Sequence, residues 1–383
     1  MRFRLPCPAC FPVLGLVLLM VGCVSVGAKP LSRHDQVVFL PSTARQQGPD
    51  QIEIRVESWV FEFERRPGLS ALLAHHLDLD LDQMSTRDRD RFYARTQLFR
   101  VDSESRKQIA LTLPGSCLQV GQRCDEPELP RSNGAGRSSS RLSLKAPEGL
   151  NDGDWIEFSV VMPADDARQL GGRALWLARE GLSVISDIDD TIKVSQVGNR
   201  KQMLLNTFVH EFAAVPGMAA QYQWLAQESG ARFHYVSSSP IQLYTPLAQF
   251  LDDQGFPRGS VHLRESTSFT SVIPRKGASR SHKLAAIGQL FADFPERRFL
   301  LIGDSGESDP EIYGDVAREH AAQVVGIRIR NVSDEGPQST RYQRSFRELP
   351  ATLWQVFDDA PSMRLLPQTA VTDGALVEDT LTH

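Results

Sequence analysis

The stretch VISDIDDTIKVS places three carboxylates within four residues, at Asp187, Asp189 and Asp190. Two like charges about 4 Å apart repel by roughly 1 kcal/mol in water and by several-fold more in a partly dry site. A packing role does not explain so much negative charge directly after an apolar run. The stretch therefore predicts a site at which a positively charged group is bound.

Other residues suited to phosphate or metal chemistry follow later in the chain. Ser237 is the first polar residue after an apolar run in FHYVSSSP, where a hydroxyl and helix N-terminal amides can bind phosphate. Lys283 falls in the first turn of a predicted helix, where the helix dipole disfavours a cation unless anions lie nearby. Asp304 and Asp309 follow another apolar run in FLLIGDSGESDPEIYG. These residue types predict one site that binds phosphate and metal.

The second half of the chain alternates apolar strands with amphipathic helices. Strands are predicted near 182–186, 232–236, 299–302 and 324–329, and helices near 201–212, 217–229, 240–254, 282–293 and 310–320. This alternation predicts a parallel sheet covered by helices, with ligands outside the carboxyl ends of its strands. The polar residues above stand at those ends, whereas Ser239 before Pro240 is explained as a helix cap.

The first half of the chain has a β-rich pattern. Apolar residues alternate from Ile52 to Val56 and then, one residue out of phase, from Trp59 to Phe63, which predicts a strand with a bulge near Ser58. Further strands are predicted at 95–101, 108–113, 141–145, 155–162 and 174–178, with a helix near 68–76. We expect a small antiparallel sandwich without a catalytic signature.

The N-terminus has the features of an export signal. Arg2 and Arg4 precede an apolar run too short to span a bilayer comfortably, and the run ends in MVGC at Cys23. This ending resembles a bacterial lipobox, which implies acyl chains on Cys23 that anchor the protein to a membrane. A plain cleaved signal or an uncleaved helix remains an alternative. We expect a periplasmic lipoprotein, and Val24 favours the outer over the inner membrane.

Composition and cysteine usage narrow the class of protein. The formal net charge of −5 argues against a generic nucleic-acid binder. Once Cys7 and Cys10 leave with the signal and Cys23 is lipidated, Cys117 and Cys124 remain. In an oxidising compartment a disulfide between them would contribute about 2–3 kcal/mol, and reduced thiols are the alternative.

Asp187, Asp189 and Thr191 match the D-x-D-x-T signature of haloacid-dehalogenase-type phosphotransferases. The resemblance implies that Asp187 is a nucleophile forming an aspartyl phosphate and that Asp189 is the general acid/base. Asp190 has no fixed role in this pattern and is interpreted as a solvated or helix-starting residue. The resemblance also implies that Thr191 and Ser237 bind the substrate phosphate.

The same resemblance implies a Mg²⁺ cofactor. Asp187, the main-chain carbonyl of Asp189 and Asp304 would form its oxygen-rich site, and Asp309 would ligate the ion or orient its neighbours. Lys283 is the expected cation beside the nucleophile and the phosphate. Mg²⁺ and the phosphoryl group then account for the concentrated carboxylates.

Longer stretches, including GLSVISDIDDTIKVSQVGNR and GDSGESDPEIYG, resemble the catalytic domain of phosphatidate phosphatases of the actin-patch-protein type over roughly residues 150–345. The resemblance implies hydrolysis of phosphatidate to diacylglycerol and phosphate, with a phospholipid substrate at the membrane surface to which the N-terminal lipid anchor holds the protein. A phosphatase of a soluble periplasmic phosphomonoester and a non-catalytic lipid- or protein-binding lipoprotein are the alternatives.

We therefore predict an α/β chain in which a β-rich, sandwich-like domain precedes a haloacid-dehalogenase-like Rossmannoid parallel sheet with a small cap insertion. The cap is expected within residues 193–212, where Lys193 either contacts substrate or lies on the surface. The predicted divisions are a signal peptide at 1–22, a spacer at 23–50, the β-rich domain at 51–178, the catalytic domain at 179–360 and a mobile tail at 361–383. The sequence does not indicate the oligomeric state.

Overall fold

The computed structural model of the protein describes residues 27–64, 68–114, 126–265 and 277–365. Cys23, Cys117 and Cys124 lie outside the described residues, as do the predicted signal peptide and most of the predicted tail. Within the described ranges, no helix combines the length and the apolar character that crossing a bilayer requires.

The described residues up to 177 form a mixed eight-stranded sheet with the core order β1-β3-β2-β8-β7-β5. Its strands are β1 (Gln36–Phe39), β2 (Ser42–Gly48), β3 (Gln51–Phe63), β4 (Val101–Ser103), β5 (Leu111–Thr112), β6 (Arg137–Lys145), β7 (Trp155–Val160) and β8 (Gly171–Leu177). Strands β4 and β6 both pair with β3, and β2 pairs with β8 in parallel. The sheet is mixed rather than wholly antiparallel as predicted, because β2 and β8 run parallel.

Two boundary predictions at the ends of the chain were wrong. The predicted spacer at 23–50 contains β1 and β2, because Phe39, Leu40 and Ala44 are buried and both strands pair with β3. The predicted tail from 361 begins with ordered residues, since Met363 is buried in the core. Short apolar stretches between polar residues concealed both packing contacts.

Strand β3 has no bulge at Ser58. Its register with β6 runs unbroken from Gln51 to Trp59. Ile52 and its alternating neighbours pack into the core of the first sheet, whereas Trp59 and Phe61 pack on the opposite face against two helices. The change of phase in the sequence therefore marks a change of the buried face.

Those two helices are α1 (Leu69–His76) and α2 (Thr86–Gln97). Helix α1 confirms the prediction near 68–76, but the strand predicted at 95–101 was wrong because α2 continues to Gln97. Ser85 caps α2 by accepting a hydrogen bond from the Asp88 N–H at 3.1 Å. The mostly polar sequence of α2 hid its periodicity, since only Phe92, Arg95 and Thr96 are buried.

The second sheet is parallel throughout, in the order β11-β10-β9-β12-β13-β14. Its strands are β9 (Leu182–Ser186), β10 (Arg232–Pro240), β11 (Gly259–Arg264), β12 (Arg298–Asp304), β13 (Val324–Arg330) and β14 (Trp354–Phe357). The helices are α3 (Arg200–Phe208), α4 (Met218–Glu228), α5 (Tyr244–Asp253), α6 (Ala278–Asp293), α7 (Asp309–Glu319) and α8 (Thr340–Ser345). The predicted alternation is confirmed, and β11, α8 and β14 are additions to it.

The two sheets are joined by buried contacts. Asp152 accepts hydrogen bonds at 2.9 Å from Arg232 and from Arg297, and the Arg297 side chain is fully buried. Near the other end of the interface, the rings of Phe99 and Phe208 pack edge to face with centroids 5.5 Å apart. The β-rich region is thus packed directly on the region that carries the predicted site.

Candidate active site

The predicted site residues converge at the carboxyl ends of the central strands. Asp187 directly follows β9, and its N–H donates to the Ile302 carbonyl of β12 at 2.9 Å. Asp304 ends β12, and the preceding Gly303 permits a close approach, because a Cβ there would lie 2.4 Å from Asp309 Oδ2. The parallel sheet therefore places these carboxylates together, as the positions of strand ends predicted.

Lys283 lies among three carboxylates. Its Nζ is 2.8 Å from Asp187 Oδ1, 2.6 Å from Asp309 Oδ1 and 3.1 Å from Glu307 Oε2. Lys283 and Asp187 are each 1% exposed, and Asp309 is fully buried. Helix α6 begins at Ala278, so Lys283 is in its second turn rather than its first. Glu307 was not predicted, although it lies within the same GDSGESD stretch.

The cluster around Lys283 contains more acidic groups than positive charges. Burial raises the pKa of Asp187 well above its usual value; Asp309 and Asp304 raise it further, and Lys283 opposes them. Burial lowers the pKa of Lys283, but Asp187, Asp309 and Glu307 outweigh it and raise that pKa overall. One ammonium group is therefore shared by more carboxylates than it neutralises, and the cluster favours a further cation.

The carboxylates have the geometry of a metal site. Asp187, Asp304 and Asp309 each offer a ligand atom, all within 4.8 Å of one another. Asp304 Oδ1 accepts the Gly306 N–H at 2.6 Å. Asp304 Oδ2 is buried and has no hydrogen-bond partner in the described part of the chain. An all-oxygen set with an unsatisfied buried atom fits Mg²⁺.

The side chain of Asp189 faces a different set of partners. Its Oδ1 is 2.8 Å from Lys193 Nζ and accepts the Ser195 hydroxyl at 2.6 Å. Its Oδ2 accepts the hydroxyls of Ser239 at 2.7 Å and Ser237 at 3.2 Å. Burial raises the pKa of Asp189, but Lys193 and the hydroxyl donors outweigh it and hold that pKa below its usual range.

The hydroxyl residues of the predicted site lie beside the two aspartates. Thr191 is fully buried and donates to Asp187 Oδ2 at 3.2 Å. Ser237 is also fully buried and contacts Asp189. The interpretation of Ser239 as a helix cap was wrong: its hydroxyl donates to Asp189, and β10 continues through Pro240 before α5 begins at Tyr244. Backbone pairing of β10 with β11 accounts for the longer strand.

Asp190 is neither solvated nor the start of a helix, which corrects the earlier interpretation. It is 5% exposed and adopts a left-handed backbone conformation with φ of 56°. Its carboxylate accepts N–H groups from Ser195 at 2.8 Å and from Gln196 and Val197 at 2.7 Å. Its carbonyl accepts Arg330 Nη1 at 2.6 Å. Asp190 therefore fixes the loop that follows the motif.

Comparison with known proteins gives matches to the second sheet region. Residues 182–331 match the family model described as phosphatidate phosphatase APP1, catalytic domain. The chain is 38% identical over 165 residues to phosphatidate phosphatase APP1 of Saccharomyces cerevisiae, which covers 42% of this chain and 28% of that protein. It is 35% identical over 170 residues to an uncharacterised protein of Schizosaccharomyces pombe, covering 42% and 26% of the two chains.

These matches confirm the predicted resemblance to the phosphatidate phosphatase catalytic domain. The chain spans only 28% and 26% of the length of these two relatives. Among solved structures, EndoBT-3987 of Bacteroides thetaiotamicron covers 80% of both chains at 10% identity with a TM-score of 0.19. A β-glucuronidase of Bifidobacterium dentium covers 84% of this chain and 60% of its own at 8% identity, with a TM-score of 0.21.

Proposed function

Because residues 182–331 match the phosphatidate phosphatase APP1 catalytic domain, we propose that the protein is a Mg²⁺-dependent phosphatase that converts phosphatidate to diacylglycerol and phosphate. We further propose that its parallel sheet is of the haloacid-dehalogenase type. The observation that carries the proposal is the buried cluster of Lys283 with Asp187 and Asp309 beside the D-x-D-x-T motif.

In the first step, the Asp187 carboxylate attacks phosphorus. A phosphorus–oxygen bond forms to Asp187, the bond to the glycerol oxygen breaks, and Asp189 gives that oxygen a proton. In the second step, water attacks phosphorus, Asp189 accepts its proton, and the bond to Asp187 breaks to release phosphate. Lys283 and the hydroxyls of Ser237 and Thr191 bind the phosphoryl oxygens.

Mg²⁺, when bound, would offset the charge of the carboxylates and of the phosphoryl group. Asp187, Asp304, Asp309 and the main-chain carbonyl of Asp189 would hold it. This assignment is supported by the mutual proximity of the three carboxylates and by the unsatisfied Asp304 Oδ2. Lys283 then neutralises the remaining charge beside the nucleophile.

The two protonation states of Asp189 suit the two steps. In this structure the low pKa of Asp189 favours the carboxylate, which is the form that accepts a proton from water. A phosphate dianion bound nearby raises the pKa of a carboxyl group, because like charges disfavour ionisation. Substrate binding therefore shifts the Asp189 equilibrium towards the protonated form that the leaving oxygen needs.

The membrane assignment is a proposal that rests on sequence and on the relative's name. The yeast relative is named a phosphatidate phosphatase. Acyl chains on Cys23 would hold the protein at a periplasmic membrane face, the outer membrane being favoured, and raise the effective concentration of a lipid substrate. We propose the phospholipid bilayer as the partner on these grounds.

The test is phosphate release by the full chain from dioctanoyl phosphatidate in detergent micelles, with and without Mg²⁺. A panel of soluble phosphomonoesters is assayed in parallel, and Asp187→Asn is the inactive control. Mg²⁺-dependent release that the variant abolishes supports the proposal. Release from soluble esters alone would retain the chemistry and overturn the lipid substrate. A folded protein that acts on neither would favour a binding lipoprotein.

A further inference from the structure

Lys193 is buried beside the predicted acid/base. It is 2% exposed, and its Nζ lies 2.8 Å from Asp189 Oδ1. The ammonium also donates to the Ser195 hydroxyl, which in turn donates to the same Asp189 oxygen at 2.6 Å. Burying a lysine sacrifices side-chain entropy and hydration, so the position requires a strong compensating contact. Asp189 supplies that contact.

The loop that carries Lys193 is fixed at several points. The Asp190 N–H donates to the Lys193 carbonyl at 2.7 Å, and the Lys193 N–H donates to the Ile188 carbonyl at 3.0 Å. The Val194 N–H donates to the Ala213 carbonyl at 2.8 Å. Because its backbone is held on both sides, Lys193 directs its side chain back to Asp189, four residues earlier.

The β-rich region supports the same lysine from outside. Lys193 Nζ lies 4.8 Å from the centroid of the Phe212 ring, and Arg95 Cζ of helix α2 lies 3.7 Å from it. Arg95 also donates to the carbonyls of Thr207 at 2.8 Å and His210 at 2.7 Å. A continuous chain of contacts thus runs from α2 through Phe212 and Lys193 to Asp189.

We propose that Lys193 is a positioning residue for the Asp189 carboxylate, and that Arg95 and Phe212 hold Lys193 in place. The inference rests on the proposed function, because it assigns Asp189 to proton transfer. Lys193 and Ser195 contact one oxygen of Asp189, and Ser237 and Ser239 contact the other. These contacts fix the carboxylate apart from the Lys283 cluster.

The test compares leaving groups. An alkoxide leaving group needs a proton from a well-placed Asp189, whereas 4-nitrophenolate leaves without one. The ratio kcat/KM reports steps through release of the leaving group, so hydrolysis of the aspartyl phosphate does not enter it. For Lys193→Met in the full chain with Mg²⁺, we expect kcat/KM to fall about 100-fold for dioctanoyl phosphatidate and less than about fivefold for 4-nitrophenyl phosphate.

Four further variants are compared with Lys193→Met. Lys193→Arg keeps the charge and is expected to recover much of the loss. Ser195→Ala removes a single donor and is expected to show the same substrate bias at about tenfold. Lys201→Met alters an exposed lysine of α3 that pairs with Asp78, and it is expected to leave kcat/KM unchanged for both substrates. Arg95→Met is expected to resemble Lys193→Met with a smaller loss.

The outcomes separate the two proposals. A substrate-biased loss in Lys193→Met or, if that variant does not fold, in Ser195→Ala supports the positioning role. An equal loss for both substrates, or no loss in a folded variant, overturns it while leaving the phosphatase intact. A wild-type protein inactive on both substrates removes the proposed function, and the positioning role with it.

Discussion

Lys283 and Lys193 are both buried beside an aspartate of the same motif, yet their surroundings differ. Lys283 is shared among Asp187, Asp309 and Glu307, whereas Lys193 contacts one carboxylate, Asp189. Asp189 also has hydroxyl donors. As a result the pKa of Asp187 is raised and that of Asp189 is lowered, although the two residues are separated by one position. A single strand end thus holds two carboxyl groups whose pKa values are shifted in opposite directions.

The direction of the pKa shift of each aspartate follows from the number of positive charges around it. Around Lys283, burial and repulsion among Asp187, Asp304 and Asp309 exceed the attraction of one ammonium. A divalent cation would supply the missing charge and lower these pKa values. Around Asp189 the charges already balance. The comparison therefore distinguishes a cluster with excess negative charge, where we propose that Mg²⁺ binds, from a carboxylate whose charge is paired within the protein.

The largest expected difference between the two aspartates is kinetic. With 4-nitrophenyl phosphate and Mg²⁺, Asp189→Asn is expected to release about one equivalent of 4-nitrophenol per active site and then stall, because in the proposed mechanism Asp187 still attacks but no base activates water. Asp187→Asn is expected to show no burst and at least about a 1000-fold loss of turnover. Rapid-mixing absorbance measures both. A burst from Asp187→Asn would exclude it as the nucleophile.

Replacing Lys283 and replacing Lys193 should lower the free energy of unfolding by different amounts. Lys283→Met leaves several buried carboxylates without a cation, and we expect a loss of about 3–5 kcal/mol in metal-free buffer. Lys193→Met should cost about 1–3 kcal/mol, because three hydroxyls still donate to Asp189. Urea denaturation of both variants measures the difference. Equal losses would contradict the unequal sharing of charge.

The pH dependence of stability provides a test of the proposed metal site. Because the folded pKa values of Asp187, Asp304 and Asp309 lie above the usual 3.8, the folded protein binds more protons than the unfolded chain in that interval. The contribution of these three carboxyl groups to the stability of the metal-free protein should therefore fall as pH rises from about 4 through their raised pKa values. An opposing slope below the usual histidine pKa of 6.5 comes from three histidines whose pKa values burial lowers, His234, His262 and His282. Lys283 contributes no slope there, since its raised pKa affects stability only above its usual 10.5.

Mg²⁺ should flatten this slope and raise the melting temperature at pH 7. At a concentration 100 times its Kd, the ion stabilises the folded state by about 2.7 kcal/mol. Asp304→Asn is expected to remove most of that gain, whereas Asn substitution of the exposed Asp78 should leave it intact. Differential scanning calorimetry with and without EDTA measures the rise in melting temperature for the wild type and both variants. An unchanged pH slope in Mg²⁺ would argue against a metal at these carboxylates.

The sequence predicted the positions that depend on regular structure. Asp187, Ser237 and Asp304 follow apolar runs of the sequence, and Lys283 lies on an amphipathic helix, so local pattern predicted them at one edge of a parallel sheet. The roles assigned to these residues remain predictions, but the structure brings their side chains together. Strand ends are predictable because strand order in such sheets leaves few alternatives.

What the sequence missed depends on contacts between distant segments. Lys193 is buried with its ammonium near the Phe212 ring, which Arg95 of helix α2 also contacts, and nothing within the local sequence separates this from surface placement. The role of Glu307 likewise arises only once α6 brings Lys283 to it. Asp190 was misinterpreted because its three N–H donors come from five to seven residues later, in a loop with no periodic pattern.

The smallest expected effect comes from replacing Asp190, whose carboxylate fixes the loop that carries Lys193. Asp190→Ala leaves three N–H groups without their acceptor and places alanine at φ of 56°, so we expect a loss of about 2–4 kcal/mol. Asp190→Asn keeps an acceptor and tolerates that conformation, and should lose about 1 kcal/mol. Asp190→Asn preserves the loop that carries Lys193 and follows the Asp189 carbonyl, so its thermal unfolding should retain the Mg²⁺ response. Loss of that response would show that the Asp190 carboxylate also positions the Asp189 carbonyl, which we propose binds Mg²⁺.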